Sequence, residues 1–205
     1  MTVMTNSLFP AFLKLRGRRV VVVGGGPVAA SKLASLQSAG ADLLVVAPEV
    51  CEHIRSAGVP ILQKAFEPSD LDEAWFVVAA APPEVNRLVA AEAERRQVFV
   101  NAVDDPENAS VYLGGVVRRD GVTLAISTDG AAPALAGLLR EALDFMLPAD
   151  LSRWNERARD IRGSWRARGV PMDARRPELL EALNALYDAR RPNASVSDTQ
   201  PELVK

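Results

Sequence analysis

The stretch VVVVGGGPVAASK, Val20 to Lys32, limits what this chain can fold into more than any other. Four valines in a row read as a strand covered on both faces, because no polar residue breaks the run. Three glycines follow at once. Pro27 then opens a helix-like segment, PVAASKLASLQSAG, whose apolar face is Val28, Leu33, Leu36 and the alanines, and which Gly40 ends. A helix that starts directly after a strand points its first N–H groups at the turn, where they and the helix dipole favour an anion. Glycine permits the tight turn and lets a diphosphate approach with no Cβ between. Gly24-x-Gly26-x-x-Ala29 fits the dinucleotide-binding spacing with alanine in third place, and strand and helix supply the context that the spacing requires. Gly24, Gly25, Gly26, Pro27 and Val28 are therefore expected to contact a cofactor. The alternative is a tight turn that holds nothing.

Further apolar runs at 42–47, 60–66, 75–81 and 98–103 read as strands, and 83–96 has helical spacing. Strands alternating with helices predict an α/β fold, a Rossmann-like doubly wound parallel sheet. In such sheets an acid at the end of the second strand often bonds the cofactor ribose. Here that end is Ala47, and Glu49 lies two residues on; it is either the ribose contact or a surface acid. No arginine directly follows the strand to receive a 2′-phosphate, so NAD is expected rather than NADP.

After residue 110 the pattern changes. Residues 110–128 read as two strands joined at Arg119-Asp120-Gly121, a hairpin signal. Residues 133–147 form an amphipathic helix with an apolar stripe of Leu135, Leu138, Leu139, Leu143 and Leu147. Residues 150–191 read as helical, with Trp154, Ile161, Trp165, Leu179, Leu180, Leu183 and Leu186 as buried candidates. The polar tail, 193–205, is expected to be disordered.

Composition excludes several classes. A net charge of −2 and a pI near 5.6 argue against a nucleic-acid binder. No apolar run approaches the roughly 18 residues of a membrane span, and the N-terminus lacks the pattern of a secretory signal. A cytoplasmic protein is expected. The one cysteine, Cys51, excludes an intrachain disulfide, and one Cys with one His, His53, cannot build a usual zinc site, so no metal site is expected.

Four segments in order, LFPAFLKLRGRRVVVVGGGPVAASK, VVAPE, VNAVDDPENAS and AISTDGAAPALAGLLREAL, resemble the precorrin-2 dehydrogenase/sirohydrochlorin ferrochelatase family, the N-terminal module of siroheme synthases. The resemblance covers roughly residues 8–147. It implies a homodimer with an NAD-binding Rossmann domain over 1–112, a small α+β dimerisation region over 113–149 and a helical C-terminal domain over 150–192. It implies oxidation of the tetrapyrrole precorrin-2 to sirohydrochlorin with NAD, and some members also insert Fe2+ to give siroheme. Both activities are linked to the aspartate of an N-x-V-D segment, here Asp104. A carboxylate at the edge of the sheet could take the proton released in the oxidation; the alternative is an ordinary turn, since Asp-Asp-Pro is good turn chemistry. Asp105 is the adjacent acid. Asn101 either bonds the cofactor or orients the loop. Ala80 falls where the family places a cofactor-contacting loop, and Ser127 and Thr128 where it lines the tetrapyrrole; Thr128 could equally cap the helix that follows.

The chain departs from the family pattern at Ala80-Ala81-Pro82, at Tyr112-Leu113-Gly114-Gly115, at Gly130-Ala131-Ala132-Pro133, where a hydroxyl is lost, and at Ser31. These changes motivate an alternative: a non-catalytic NAD- or tetrapyrrole-binding sensor or carrier of the same fold. The Tyr-x-x-x-Lys of short-chain reductases is missing, as Val116 and Arg191 follow Tyr112 and Tyr187 at that spacing. Residues 150–191 carry ten Arg against seven acids, and Arg153, Arg157 and Arg168 could pair with substrate carboxylates.

Overall fold

Both faces of the first strand are covered. In the computed structural model, which describes residues 8–188, β1 (Arg19–Val23) lies at the centre of a five-stranded parallel sheet of order β3-β2-β1-β4-β5. Its neighbours are β2 (Asp42–Val46) and β4 (Phe76–Ala79), with β3 (Ile61–Leu62) and β5 (Phe99–Ala102) at the two edges. The expected Rossmann-like sheet is present.

Alternation along each strand sends side chains to two layers. Val20, Val22, Leu43, Val45, Phe76 and Val78 pack on one face against Ala29, Leu33 and Leu36 of α1 (Pro27–Ser38). Val21, Val23, Val46, Val77, Ala79 and Val100 pack on the other against Val89, Ala90 and Ala93 of α3 (Pro83–Arg95). A short helix, α2 (Glu52–Arg55), adds Ile54 to the first layer. This double cover is why the strands read as unbroken apolar runs. Val28 is a correction to the expected apolar face of α1: it is 46% exposed, in the helix's first turn.

The strand expected over 60–66 is two residues long. Lys64 N bonds back to Leu62 O, and the chain leaves the sheet to place the buried Asp70 beside Lys64 Nζ at 2.9 Å. Asp70 also accepts from Glu67 N, closing a turn over Pro68–Leu71. Phe66 still reaches the core, which explains its apolar signal.

The described chain forms two compact units. The first holds the sheet and its helices together with residues 126–138; the second holds residues 116–125 and the chain from 139 onward. The expected hairpin is β6 (Gly115–Arg119) and β7 (Val122–Ile126). Asp120 and Gly121 both have positive φ, 49° and 80°, the mirror-image turn that suits strand twist. In the second unit Asp120 is tied to the start of α5 (Leu151–Arg168): Ser152 N donates to its carboxylate and Asn155 Nδ2 to its carbonyl at 2.8 Å. Arg119 bonds Asp144 and Leu147 O at the end of α4 (Pro133–Met146).

The helical region expected over 150–191 breaks at Gly169, whose φ of 67° ends α5, before α6 (Met172–Asp188). Ile161 and Trp165 are buried as expected, whereas Leu180 is 58% exposed. The stripe on α4 is only partly covered: Leu135, Leu138 and Leu139 are exposed and Leu143 and Leu147 half-buried, while Phe145 and Met146 beside it are exposed too. The tail expected to be disordered, 193–205, lies outside the described residues. Among the described residues, no helix is long and apolar enough to cross a membrane.

Candidate functional site

The strands are parallel, so the segments leaving β1, β2, β4 and β5 meet along one edge of the sheet. The order of strands reverses direction between β1 and β4, which is where ligands bind in sheets of this kind.

The three glycines at that edge do different work. Gly24 has φ 130°, and a Cβ there would overlap the carbonyl of Ala80 in the loop after β4. Gly24 N donates to Val46 O at 3.0 Å. At Gly25 a Cβ would overlap the carbonyl of Glu49 in the loop after β2, and Gly25 O accepts from Cys51 N at 2.7 Å. Both glycines are thus required by neighbouring backbone. Gly26 is not: its φ of −86° suits any residue, and a Cβ would meet nothing within 4 Å. It caps α1, and no acceptor among the described residues takes the N–H of Gly26, Val28 or Ala29. Pro27, at the first helical position, has no N–H to offer. The open space at Gly26 and these unclaimed donors fit the diphosphate of a dinucleotide.

The other expected cofactor contacts surround this turn. Glu49 holds the turn through its backbone and leaves its carboxylate exposed. Ala80 is half-buried, with its carbonyl against Gly24. One residue escaped the sequence reading. Asn86, 4% exposed on α3, accepts from Ala81 N at 2.9 Å and so fixes the loop after β4. A signal was present: Asn86 stands three and four residues before Val89 and Ala90, a polar residue on an apolar helix face.

On the other side of β4, β5 delivers Asn101 and the acids. Asn101 is 7% exposed; its Nδ2 donates to Val111 O at 2.9 Å and its Oδ1 is buried without a partner. Asp104 follows the strand in a left-handed turn, φ 57°, with its side chain exposed. Asp105 is half-buried and accepts from Asn108 Nδ2 at 2.8 Å. With β4 between β1 and β5, the glycine turn and the Asp104 turn are two strand spacings apart, roughly 10 Å.

Residues 127–132 adjoin the Asp104 loop within the same unit. Gly130 sits against the ring of Tyr112 and against Pro106, and Tyr112 OH donates to Pro106 O at 2.9 Å. Ser127 Oγ accepts from Asp129 N at 3.1 Å, and Thr128 Oγ1 accepts from Ala132 N at 3.2 Å. Ser127 Oγ also donates to Asp129 Oδ1 at 3.5 Å, whereas Thr128, which steadies the entry to α4, keeps its hydroxyl proton to donate.

The arginines of the second unit are less suited to a polyanion. Arg168 is paired with Glu178, and Arg157 lines a groove of about 440 Å3 beside Asp160, Glu178 and Glu181. Arg153 is exposed. Among the described residues, no cluster of His, Cys, Asp or Glu could hold a metal ion.

A family model described as "Putative NAD(P)-binding" matches residues 11–115. The siroheme synthase of Photorhabdus laumondii is 37% identical over 203 residues, 95% of this chain and 42% of that protein. Siroheme synthase 1 of Cronobacter sakazakii is 42% identical over 158 residues, 75% of this chain and 34% of that protein. The chain thus spans well under half the length of these relatives. A solved structure titled SirC, precorrin-2 dehydrogenase, superposes with a TM-score of 0.67 over 89% of this chain and 92% of that one, at 24% identity. That likeness extends the fold comparison beyond the sheet.

Proposed function

Because the chain belongs to this NAD(P)-binding family, we propose that it binds NAD and oxidises precorrin-2 to sirohydrochlorin in siroheme synthesis. The siroheme synthase relatives and the SirC fold support that substrate. The observation that carries the reading is the pairing, on one sheet edge, of the open turn at Gly26 with the exposed carboxylate of Asp104.

Bound there, NAD+ would accept a hydride. The N–H groups of Gly26, Val28 and Ala29 hold the diphosphate, and the exposed Val28 offers an apolar surface beside it. Glu49 bonds the ribose, which favours NAD over NADP. Asp104 accepts the proton that the tetrapyrrole releases as the hydride leaves, so the carboxylate becomes a carboxylic acid. Asp105, Ser127 and Thr128 contact the substrate, with the Thr128 hydroxyl donating to its carboxylates. Asn101, with its Nδ2 committed to Val111 O, orients the loop, and its unpartnered Oδ1 is left to accept from the cofactor.

We further propose the division into a cofactor domain (1–112), a dimerising region (113–149) and a helical domain (150–192). The exposed Leu135, Leu138, Leu139, Phe145 and Met146 on α4 support a homodimer, since an apolar face of this extent is costly in water. Fe2+ would be a second substrate, taken by sirohydrochlorin as two pyrrole N–H protons leave, one to Asp104 and one to water.

The test is an absorbance assay of the full chain with precorrin-2 and NAD+, with and without Fe2+ or Co2+. NADH should form, and Asp104→Ala should lower turnover by about 100-fold or more while NAD+ binding stays. Tetrapyrrole binding without NADH formation would replace the enzyme with a carrier or sensor.

A further inference from the structure

Among the described residues, β5 has no strand partner besides β4. The returning chain at Ser110–Val111 bonds to that free edge instead. Ser110 N and Val111 N both donate to Val100 O at 2.9 Å, and Val100 N donates to Ser110 Oγ at 2.8 Å. Asn101 Nδ2 completes the set on Val111 O. These bonds close residues 102–109 into a loop with pinned ends, and the loop carries Asp104 and Asp105.

One bond in the set is unlike the others. A continuing strand would meet Val100 N–H with a main-chain carbonyl and pair further along. Here a side-chain hydroxyl takes that donor, so pairing stops after two residues and the chain turns away to Tyr112. Val100 is only 3% exposed, so its N–H depends on that hydroxyl instead of on water. Ser110 itself is exposed, and its hydroxyl serves only Val100.

We propose that Ser110 is a positioning residue: by accepting Val100 N–H it fixes the loop that presents the Asp104 carboxylate. The role in turnover rests on the reading of Asp104 as the base. Loosening one end of the loop lets the left-handed Asp104 turn relax, which misplaces the carboxylate without touching the glycine turn two strands away.

Full-length Ser110→Ala and Ser110→Thr decide the matter. In the NADH assay, Ser110→Ala should lower kcat about tenfold, with the Kd for NAD+ unchanged, and Ser110→Thr should restore kcat. Amide hydrogen exchange over 103–109 should quicken in the alanine variant alone. Wild-type kcat in Ser110→Ala overturns the proposal. So does a parallel loss of kcat, NAD+ binding and melting temperature that threonine fails to restore. Should the wild type make no NADH, the dehydrogenase reading fails by itself. Exchange then decides the positioning: quicker exchange that threonine reverses supports it, and unchanged protection in Ser110→Ala overturns it.

Discussion

In the sheet, Val20, Val21, Val22, Val77 and Val78 are completely buried and touch helices on both faces. Among the described residues of the α5–α6 pair, Leu151, Ile161 and Trp165 are the buried ones, and polar ties gather around Trp165. Trp165 Nε1 donates to Glu178 at 2.8 Å, Arg168 pairs with the same carboxylate, and the Arg175 guanidinium lies 5.8 Å from the Trp165 ring centre. The first region draws its stability from apolar area removed from water. The second depends on a few hydrogen-bonded groups around one indole, whose net worth is smaller. The rigid region is also the one that carries the candidate cofactor turn, which keeps the N–H groups at Gly26 in place before any ligand arrives.

Substitutions can break this contrast in decreasing steps. Gly25→Ala drives a Cβ into the carbonyl of Glu49, and backbone on both sides must move. A melting temperature lower by about 10 °C or more is expected, and an unchanged one would mean the turn is looser than described. Phe76→Ala, at 1% exposure between the sheet and α1, should cost about 3–5 kcal/mol in urea denaturation, whereas Ile161→Ala in the helical pair should cost about 2 kcal/mol. Equal losses would show that the helical pair is packed as firmly as the sheet.

The smallest effect lies on the surface of the sheet unit. Hydrogen bonds from Arg95, then Arg96, and the charge of both hold the Glu92 carboxyl down to about 2 from 4.5. Because the folded value is depressed, the stabilisation is present above pH 4.5 and fades as pH falls toward 2. The gap in urea midpoint between wild type and Glu92→Gln should therefore narrow between pH 6 and pH 3. A constant gap would mean that the charge of Glu92 contributes nothing.

The contrast also explains what the sequence disclosed. Unbroken runs such as Val20–Val23 announce strands because both faces need apolar cover, and Asp120-Gly121 announces its turn because both residues take positive φ. The end of β3 was not legible: Phe66 continues the apolar signal while the chain has already left the sheet for the Lys64–Asp70 pair. The partly covered stripe of α4 reads like a buried one, since periodicity reports a face and not what covers it. At the candidate site, the glycine pattern located the turn but could not divide it. Gly24 and Gly25 answer to the carbonyls of Ala80 and Glu49, and only Gly26 is left for a ligand. Asn86 left a trace as a polar residue on an apolar helix face, but the backbone group it holds, like the one Ser110 holds ten residues back, is set by the fold and not by a local pattern.

The account stands most directly on a calorimetric titration of NAD+ into wild-type protein and Gly26→Ala. The added methyl meets no protein atom within 4 Å. The variant should therefore melt with the wild type and bind NAD+ at least about tenfold more weakly. Equal affinity in the two proteins would contradict the placement of the cofactor at this turn.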